Sequence, residues 1–278
     1  MPQGVINFVE DVVERGARVE KVLSGFQFTE GPVFSRIGFL LFSDIPANRI
    51  YKYVPGGPHQ VFRENSNGAN GLTFDHQGRL LACEGGGGRV TRTEKNGSIT
   101  VLADKLNAPN DIVYGIDGSI YFTDLRRRDA PAGGPPSAVY QITRSGQVRR
   151  VAEDMGRPNG VALAANQLTL YVADSERQNV RAYEIAPDGA LTRGREVASL
   201  KHQQPGGPDG LKTDENGNLY VTGHGGVWVF NEGRHLGVIE VPEKPANLGW
   251  GDGFRALYIT ARTSVYKVRM RFPGTRTY

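Results

Sequence analysis

The chain has 278 residues, and 33 lysines and arginines against 29 aspartates and glutamates give a formal net charge of +4. This small excess, with no basic run interleaved with aromatic side chains, excludes nucleic acid as an expected partner. Cys83 is the single cysteine, so an internal disulfide is excluded and a reducing, cytoplasmic setting is expected. No segment approaches the roughly 18 apolar residues of a membrane span, so we expect no membrane partner. We expect a monomer or a dimer.

A short polar motif recurs six times and opens each copy of an internal repeat. Its first residues, called here the anchors, are Glu30, Asn70, Asn110, Asn159, Asp209 and Asn247. A second motif ends 14 residues after each anchor, or 15 in the fourth copy, at Asp44, Glu84, Asp124, Asp174, Gly223 and Ala261. This near-constant offset indicates one structural unit repeated six times.

Each unit has the pattern of four short strands in succession. An apolar strand leads from the anchor to a turn such as residues 75–78, and a second apolar strand ends at the second motif. An alternating third strand follows, as in residues 49–53, and usually a fourth, as in residues 98–102. Four antiparallel strands are typical of a propeller blade. The sequence therefore predicts an all-β fold, a six-bladed β-propeller with four antiparallel strands per blade.

The two ends of the chain are expected to meet in the last blade. The sixth copy stops after its third strand, residues 265–268, whereas an unassigned strand at residues 18–23 precedes the first anchor. We expect this N-terminal strand to complete the last blade and close the ring, which removes exposed strand edges. The prediction is a single domain over residues 1–278, with an N-terminal extension at 1–16, the propeller at 17–270 and a C-terminal tail at 271–278.

The anchors are also candidates for binding chemistry. Equivalent positions on the innermost strands of a propeller form a ring, so we expect all six anchors at one mouth of the central channel. Their oxygens are hard donors, and carboxylates buried together are costly without a compensating cation, which favours Ca²⁺, Mg²⁺ or Mn²⁺. The alternative is that the Asn-Gly and Asp-Gly pairs only mark turns at the starts of blades.

Several ungapped motifs resemble the sugar-lactone lactonase family, which includes gluconolactonases and regucalcin (senescence marker protein). The most specific are Phe-Gln-Phe-Thr-Glu-Gly-Pro-Val at 26–33, Leu-Phe-Ser-Asp-Ile-Pro-Ala-Asn-Arg-Ile at 41–50 and Ala-Asn-Gly-Leu-Thr-Phe-Asp at 69–75. They are typical of the gluconolactonase branch, and the similarity spans nearly the whole chain. The resemblance implies a six-bladed propeller whose channel holds one divalent ion.

The resemblance also implies a reaction and a set of site residues. By motif, the metal ligands are Glu30, Asn110, Asn159 and Asp209. Ca²⁺ is the favoured ion, with Mg, Mn, Fe and Zn as alternatives. The implied reaction is the opening of an aldonolactone by water, in which the metal polarises the lactone oxygen and Asp209 acts as the catalytic base. Whether Asp209 acts as base or as nucleophile stays open.

Five further residues are predicted to contact a small-molecule lactone substrate: Asn70, Glu84, Asp124, Arg126 and His224. Glu84 and Asp124 belong to the column of acids at the ends of the second strands, whose alternative role is to cap the loop that follows. Arg126 opens a loop, residues 126–136, that departs from the family pattern, and its alternative role is a solvated lid. The four glycines at 85–88 stand where the branch carries His-Gly, and they predict a flexible pocket loop.

Three functions remain open at the level of sequence. The first is a metal-dependent lactonase, the second is a phosphotriesterase-like hydrolase on the same ring, and the third is a non-catalytic metal-binding or scaffold propeller. A scaffold would not need a ring of carboxylates and amides at one mouth, whereas both hydrolases require it, and the fold alone does not choose among the three functions.

Overall fold

The structure is a computed structural model, and it describes residues 8–127, 129, 134–203 and 206–276. A short 3₁₀ helix, Val9–Asp11, precedes the strands, and β1 is Glu20–Ser24. Blade 1 consists of β2 (Thr29–Phe34), β3 (Leu40–Asp44), β4 (Arg49–Tyr53) and β5 (His59–Arg63). Blade 2 consists of β6 (Ala69–Phe74), β7 (Leu80–Glu84), β8 (Arg89–Thr93) and β9 (Ile99–Ala103). Blade 3 consists of β10 (Pro109–Tyr114), β11 (Ile120–Asp124), β12 (Ala138–Ile142) and β13 (Val148–Ala152).

The remaining blades follow the same order. Blade 4 consists of β14 (Pro158–Leu163), β15 (Thr169–Asp174), β16 (Asn179–Ile185) and β17 (Leu191–Ser199). Blade 5 consists of β18 (Leu211–Thr213), β19 (Asn218–Gly223), β20 (Gly226–Asn231) and β21 (Arg234–Glu240). Blade 6 contains β22 (Pro245–Gly251), β23 (Ala256–Ala261) and β24 (Ser264–Arg269).

The N-terminal strand closes the ring. Strand β1 pairs antiparallel with β24, placing Glu20 opposite Lys267, so the last sheet has the order β1-β24-β23-β22. The other five sheets each run through four consecutive strands. The predicted six-bladed propeller, with its last blade completed by an N-terminal strand, is therefore confirmed. The predicted division into extension, propeller and tail stays a prediction.

The apolar core lies between neighbouring blades. Val33 and Leu41 of blade 1, for example, pack in one buried cluster with Leu72 and Phe74 of blade 2. The second strands β3, β7 and β11 are buried along their whole length because both of their faces meet a neighbouring blade. Each fully buried side chain of this size contributes about 1.5–3 kcal/mol, which makes the blade interfaces the main apolar stabilisation of the ring.

Hydroxyl groups on the second strands join each blade to the inner strand of the next. Ser43 Oγ donates to the carbonyl of Asn70 (2.8 Å), and Thr123 Oγ1 donates to the carbonyl of Asn159 (2.6 Å). Thr222 Oγ1 donates to the carbonyl of Ala246 (2.8 Å) in the same way. These bonds fix the backbone at or next to the anchor residues, so the anchors of successive blades are held at one level.

The channel is filled at its far end by the C-terminal segment. The Thr275 amide donates to the Thr213 carbonyl (3.0 Å), at the end of β18 opposite Asp209. Gly274 packs against the Trp250 indole so closely that any side chain there would collide with the ring. Trp250 Nε1 donates to the same Thr213 carbonyl (2.8 Å). A small ligand in the channel therefore reaches the anchors from the mouth. No helix in the described ranges is long and apolar enough to cross a membrane.

Glu243 ties the closing strand to blade 6. It accepts hydrogen bonds from Ser264 Oγ (2.5 Å), Tyr266 Oη (2.9 Å) and the Thr263 amide (3.0 Å), and it pairs with Lys21 Nζ of β1 (3.2 Å). Partial burial alone would raise the pKa of Glu243, but the hydrogen bonds outweigh it and lower the pKa to about 2. The ionised carboxylate is thus the form that the closed ring stabilises.

Glu243→Gln is expected to lower the free energy of unfolding by about 1–2 kcal/mol at pH 7, a value reduced for solvent screening at this partly exposed position. The pKa of this group is lower in the folded state, so its contribution is complete above the ordinary value of 4.5 and declines as pH falls toward 2. Urea unfolding should therefore show the difference between variant and wild type narrowing between pH 5 and pH 3.

A matched control is Glu64→Gln, because Glu64 forms an exposed pair with Arg49 (2.8 Å) away from the closing strand. It should cost less than about 0.5 kcal/mol. A Glu243→Gln effect no larger than this, or one independent of pH, would show that Glu243 does not secure the closure.

Candidate metal centre and substrate pocket

The inner strands are irregular at the anchors. The pairing with the second strand shifts register between Glu30 and Val33, and it does so in four further blades, between Ala69 and Leu72, Pro109 and Ile112, Pro158 and Val161, and Pro245 and Asn247. A β-bulge of this kind re-aims the side chain at its position. Five of the anchors, all except Asp209, therefore lie in bulged strands rather than in turns, in contrast to the alternative that the repeated motif only marks turns.

The residue after most anchors is glycine because the inner strands crowd one another. A Cβ on Gly71 would lie 2.7 Å from the Asn110 carbonyl oxygen, and one on Gly160 would collide with the Asp209 carbonyl. The Gly160 amide instead donates to that carbonyl at 3.0 Å. The glycines thus permit the close approach that brings the anchors of neighbouring blades together.

Glu30 is buried, with 3% of its surface exposed, and it lies near two other carboxyls. Burial raises the pKa of Glu30 well above its usual range, and the charges of Asp209 and Asp111 raise it further. A hydrogen bond from the Gly31 amide (2.8 Å) opposes this effect. The environment therefore disfavours the carboxylate unless a proton or a cation accompanies it.

Asp209 lies in the extended segment that leads into β18. Solvent reaches part of this residue, but protein surrounds its carboxyl, and burial raises the pKa of Asp209, as does the charge of Asp111. The charge of Lys244, a hydrogen bond from Asn159 and the charge of Arg157 act in the opposite direction. Asp209 is thus the acidic anchor whose ionised form has the most support from its neighbours.

Asp111 is a site residue that the sequence reasoning did not select. It is buried, its Oδ2 accepts the Val161 amide of the next blade (3.0 Å), and its charge acts on both Glu30 and Asp209. The signal was present in the sequence, because Asp111 replaces the glycine that follows four of the other five anchors.

Two anchor amides hold buried oxygens that lack a hydrogen-bond partner. Asn159 Nδ2 donates to Ser175 Oγ (2.9 Å), whereas Asn159 Oδ1 is buried and unsatisfied, and Asn70 Oδ1 is in the same state. Unpaired buried oxygens are costly and call for an explanation such as a bound ion. In the described part of the chain no three His, Cys, Asp or Glu side chains are grouped to hold a metal. A metal site here would therefore need amide oxygens beside the carboxylates, and such a donor set fits a hard divalent ion.

A cavity of about 430 Å³ lies beside the ring at the mouth. Its lining includes the anchors Asn70 and Asn110 and the side chains Arg126, Arg127 and Arg157. A larger cavity, of about 780 Å³, lies between the outer parts of blades 4 and 5, but none of the predicted site residues lines it. We assign the substrate pocket to the smaller cavity because two anchors line it, one of them Asn70 with its unsatisfied oxygen, and so does Arg157, whose charge acts on Asp209. The predicted residues Asn70 and Arg126 both line it.

Glu84 has a structural environment. It is fully buried, and its two oxygens receive hydrogen bonds from Arg63 Nη2, Arg89 Nε (2.7 Å), Thr91 Oγ1 (2.7 Å) and Asn67 Nδ2 (3.0 Å). Burial would raise the pKa of Glu84, but these donors outweigh it and lower the pKa. Four protein donors thus already bind the two carboxylate oxygens of Glu84. A contact between Glu84 and substrate stays a prediction.

Asp124 caps backbone at the start of its own blade. Its carboxylate accepts the amides of Asn107 (3.0 Å) and Ala108 (2.8 Å), which lead into β10. Asp44 likewise accepts the amides of Gln27 and Phe28 before β2. For these two acids, the expectation that they cap the loop after the second strand is wrong, because the segment before the first strand lies closer to the carboxylate. A role of Asp124 in substrate binding stays a prediction.

His224 stacks on another histidine. The His202 and His224 rings are 4.1 Å apart between centroids and nearly parallel, at 15°. The His224 carbonyl accepts Trp228 Nε1 (2.9 Å), which fixes the loop after β19. His224 is half-buried, and its contact with substrate also stays a prediction. Arg128 and residues 130–133 of the loop predicted at 126–136 lie outside the described residues.

Comparison with known proteins assigns the chain to a family. The SMP-30/gluconolactonase/LRE-like region matches residues 28–263. The chain belongs to this family. It is similar to a gluconolactonase of Zymomonas mobilis, with 27% identity over 96% of this chain and 85% of the relative. It is also similar to lactonase drp35 of Staphylococcus epidermidis, with 30% identity over 77% of this chain and 69% of the relative.

The fold agrees with a solved structure of a protein described as a gluconolactonase. A gluconolactonase structure from Xanthomonas campestris superposes with a TM-score of 0.83 at 28% identity, covering 93% of this chain and 91% of that one. The resemblance based on the residues near Glu30 and Asn70 is thereby confirmed at the level of the family.

Glu84→Gln is expected to destabilise this family member by about 3–5 kcal/mol, because it removes the charge that balances two partly buried arginines. Chemical unfolding at pH 7 measures this loss. Glu184→Gln serves as the control, since Glu184 forms an exposed pair with Arg193 (3.2 Å) and should cost less than about 1 kcal/mol. Unchanged stability together with a raised KM for a lactone would instead indicate that Glu84 contacts substrate.

Proposed function

We propose that this protein is a divalent-metal-dependent hydrolase that opens sugar lactones, of the gluconolactone-like aldonolactone class, to aldonic acids. The observation that carries the proposal is the group of buried carboxyls and unsatisfied amide oxygens at the anchors, two of which, Asn70 and Asn110, line the mouth cavity. Membership of the SMP-30/gluconolactonase/LRE-like region family, with relatives named as a gluconolactonase and a lactonase, gives the reaction class.

Glu30, Asn110, Asn159 and Asp209 would hold the ion. The unsatisfied Oδ1 of Asn159 supports this assignment, as does the proximity of two carboxyls whose pKa values burial raises. All four donors are oxygens, which favours Ca²⁺ and leaves Mg, Mn, Fe and Zn as alternatives. When bound, the ion supplies Lewis-acid polarisation of the lactone oxygen.

The chain's own groups account for the proton transfer and for orientation. Asp209 would take a proton from the attacking water, and the charges of Lys244 and Arg157 favour the ionised carboxylate that this requires. Asn159 donates to Ser175 Oγ, and Ser175 Oγ donates to the carbonyl of Pro208 (2.6 Å), so one hydroxyl orients an anchor amide beside Asp209. Direct attack by Asp209 as a nucleophile is the alternative that fits the same geometry.

Asp209→Asn is expected to reduce kcat for gluconolactone hydrolysis at least about 10³-fold, because it removes the proposed base and one charged donor. A pH-indicator assay of lactone opening with added Ca²⁺ measures this. Asp188→Asn is the control, since the Asp188 side chain is 68% exposed in a turn outside the mouth, and it should retain wild-type kcat. A rate for Asp209→Asn within about threefold of wild type would rule out the proposed role of Asp209.

A substrate panel distinguishes the remaining functions. Metal-stripped protein is supplied in turn with Ca²⁺, Mg²⁺, Mn²⁺ and Zn²⁺ and assayed on aldonolactones, fatty-acyl lactones and a phosphotriester. The proposal predicts the highest kcat/KM on an aldonolactone, with activity restored by at least one metal. Preference for the phosphotriester would favour a phosphotriesterase-like hydrolase, and no turnover of any substrate would favour a non-catalytic metal-binding propeller.

A further inference from the structure

The wall of the mouth cavity is strongly cationic. Arg126, Arg127 and Arg157 line it, and Asp129 is the single acid among the described lining residues. Like charges placed this close repel one another, and a cavity lined by one sign of charge concentrates the opposite charge. A neutral polyol gives such a wall no electrostatic partner.

Hydrogen bonds hold the two segments that carry these arginines, residues 126–127 after β11 and Arg157 before β14, in place. Leu125 is buried, and its amide donates to the Ala108 carbonyl (3.1 Å). The Arg126 amide donates to Ser137 Oγ (2.9 Å), and the Arg157 guanidinium reaches the Arg126 carbonyl (3.5 Å). The bond between Arg157 and the Arg126 carbonyl thus holds the blade 3 and blade 4 parts of the cavity wall together.

The glycine run of blade 2 makes room for a guanidinium. Arg127 Nη2 lies over it and donates to the carbonyls of Gly85 (3.1 Å) and Gly86 (3.4 Å). A Cβ on Gly86 would lie 2.8 Å from the Asn67 carbonyl oxygen, so this loop is tightly packed against residues preceding β6. The loop at 85–88, expected to be flexible, is instead closely packed, and its lack of side chains leaves space for the Arg127 guanidinium.

Two acids that end neighbouring second strands, Glu84 and Asp124, are engaged away from this wall. Glu84 is enclosed by Arg63 and Arg89, and Asp124 is engaged by the backbone before β10. A fourth cation, Lys244, lies on the blade 6 side of Asp209, where its ammonium would be 3.2 Å from a Cβ at Gly206. Lys244 and Arg157 thus offset the buried carboxyls at the proposed reaction centre, whereas the described lining of the cavity itself carries three arginines against one acid.

We infer that the substrate is an anionic lactone, carrying a carboxylate or phosphate remote from its lactone carbonyl, and that Arg126, Arg127 and Arg157 bind that group. This inference rests on the proposed lactonase function. The carboxylate that hydrolysis creates arises beside Asp209, whereas Arg126 and Arg127 line the wall on the blade 3 side, next to the blade 2 loop. Guanidinium groups suit both carboxylate and phosphate because they donate in a planar fork.

The test compares three lactones that share one ring: gluconolactone, a hexaric acid monolactone with a C6 carboxylate, and gluconolactone 6-phosphate. Wild type is expected to show kcat/KM at least about tenfold higher on one of the charged lactones than on gluconolactone. The charged lactone with the higher kcat/KM shows whether the arginines bind a carboxylate or a phosphate. Raising the salt concentration from 0.05 to 0.5 M should reduce the preference, because screening weakens exposed charge pairs.

The double variant Arg126→Gln/Arg127→Gln is expected to lower the ratio of charged to neutral kcat/KM at least about tenfold, and Arg127→Lys should retain part of it. Arg193→Gln, on an exposed side chain of the outer strand β17, is the matched control and should keep the ratio of wild type. Wild-type preference for gluconolactone, or a ratio unchanged in the double variant, would overturn the inference while leaving the lactonase proposal intact.

A binding measurement separates the two proposals if no lactone is opened. Calorimetry compares a hexarate dianion with gluconate, which carries one carboxylate, on wild type and on the double variant. Binding of the dianion at least about tenfold tighter, lost in the double variant, supports the cationic wall as an anion site. Equal affinities overturn it, whereas failure to open any lactone overturns the proposed function.

Discussion

The close approach of six inner strands around one narrow channel is the constraint on which the rest of the structure depends. Gly71 and Gly160 have no room for a side chain because the backbone of the next blade's inner strand lies against them. Adjacent blades are then near enough for Ser43 and Thr123 to donate across the boundary to Asn70 and Asn159. Packing at the axis and hydrogen bonding at the anchors are two aspects of the same geometry.

The same crowding creates the chemistry of the mouth. A bulge re-aims the side chain at Glu30, Asp209 lies in the segment that leads into β18, and both come within reach of Asp111 where neighbouring inner strands are closest. Closure by β1 and filling of the far end by Gly274 and its neighbours leave the mouth as the route to these groups. Two anchor amides, Asn70 and Asn159, thereby keep buried oxygens without a hydrogen-bond partner, which is costly unless a ligand satisfies them.

Much of the fold could be predicted because the repeat is encoded locally. The constant offset between anchor and second motif fixed the hairpin of each blade, and the missing strand after residue 268 pointed to its N-terminal replacement. Contacts between distant residues were beyond reach. Asp124 bonds amides 16 and 17 positions earlier, and Glu84 is one methylene longer than Asp, which lets it gather Arg63 and Arg89.

The candidate site shows the same division. The anchors were identified by their periodicity, whereas Asp111 was not, since it breaks the repeat by replacing a glycine rather than by matching the anchor. The packed glycine run at 85–88 was mistaken for a flexible loop because its partners, Asn67 and Leu106, are not signalled by any pattern in the run itself. Residues that depart from a repeat therefore carry information that the repeat cannot supply.

The central claim is that one divalent ion occupies the ring of anchors. Crystals soaked in Mn²⁺ and measured at its absorption edge test it directly. The account predicts one anomalous peak per chain, at the channel mouth, with oxygens of Glu30, Asn110, Asn159 and Asp209 about 2.0–2.6 Å away. A peak elsewhere, or none at the mouth at saturating Mn²⁺, would contradict it.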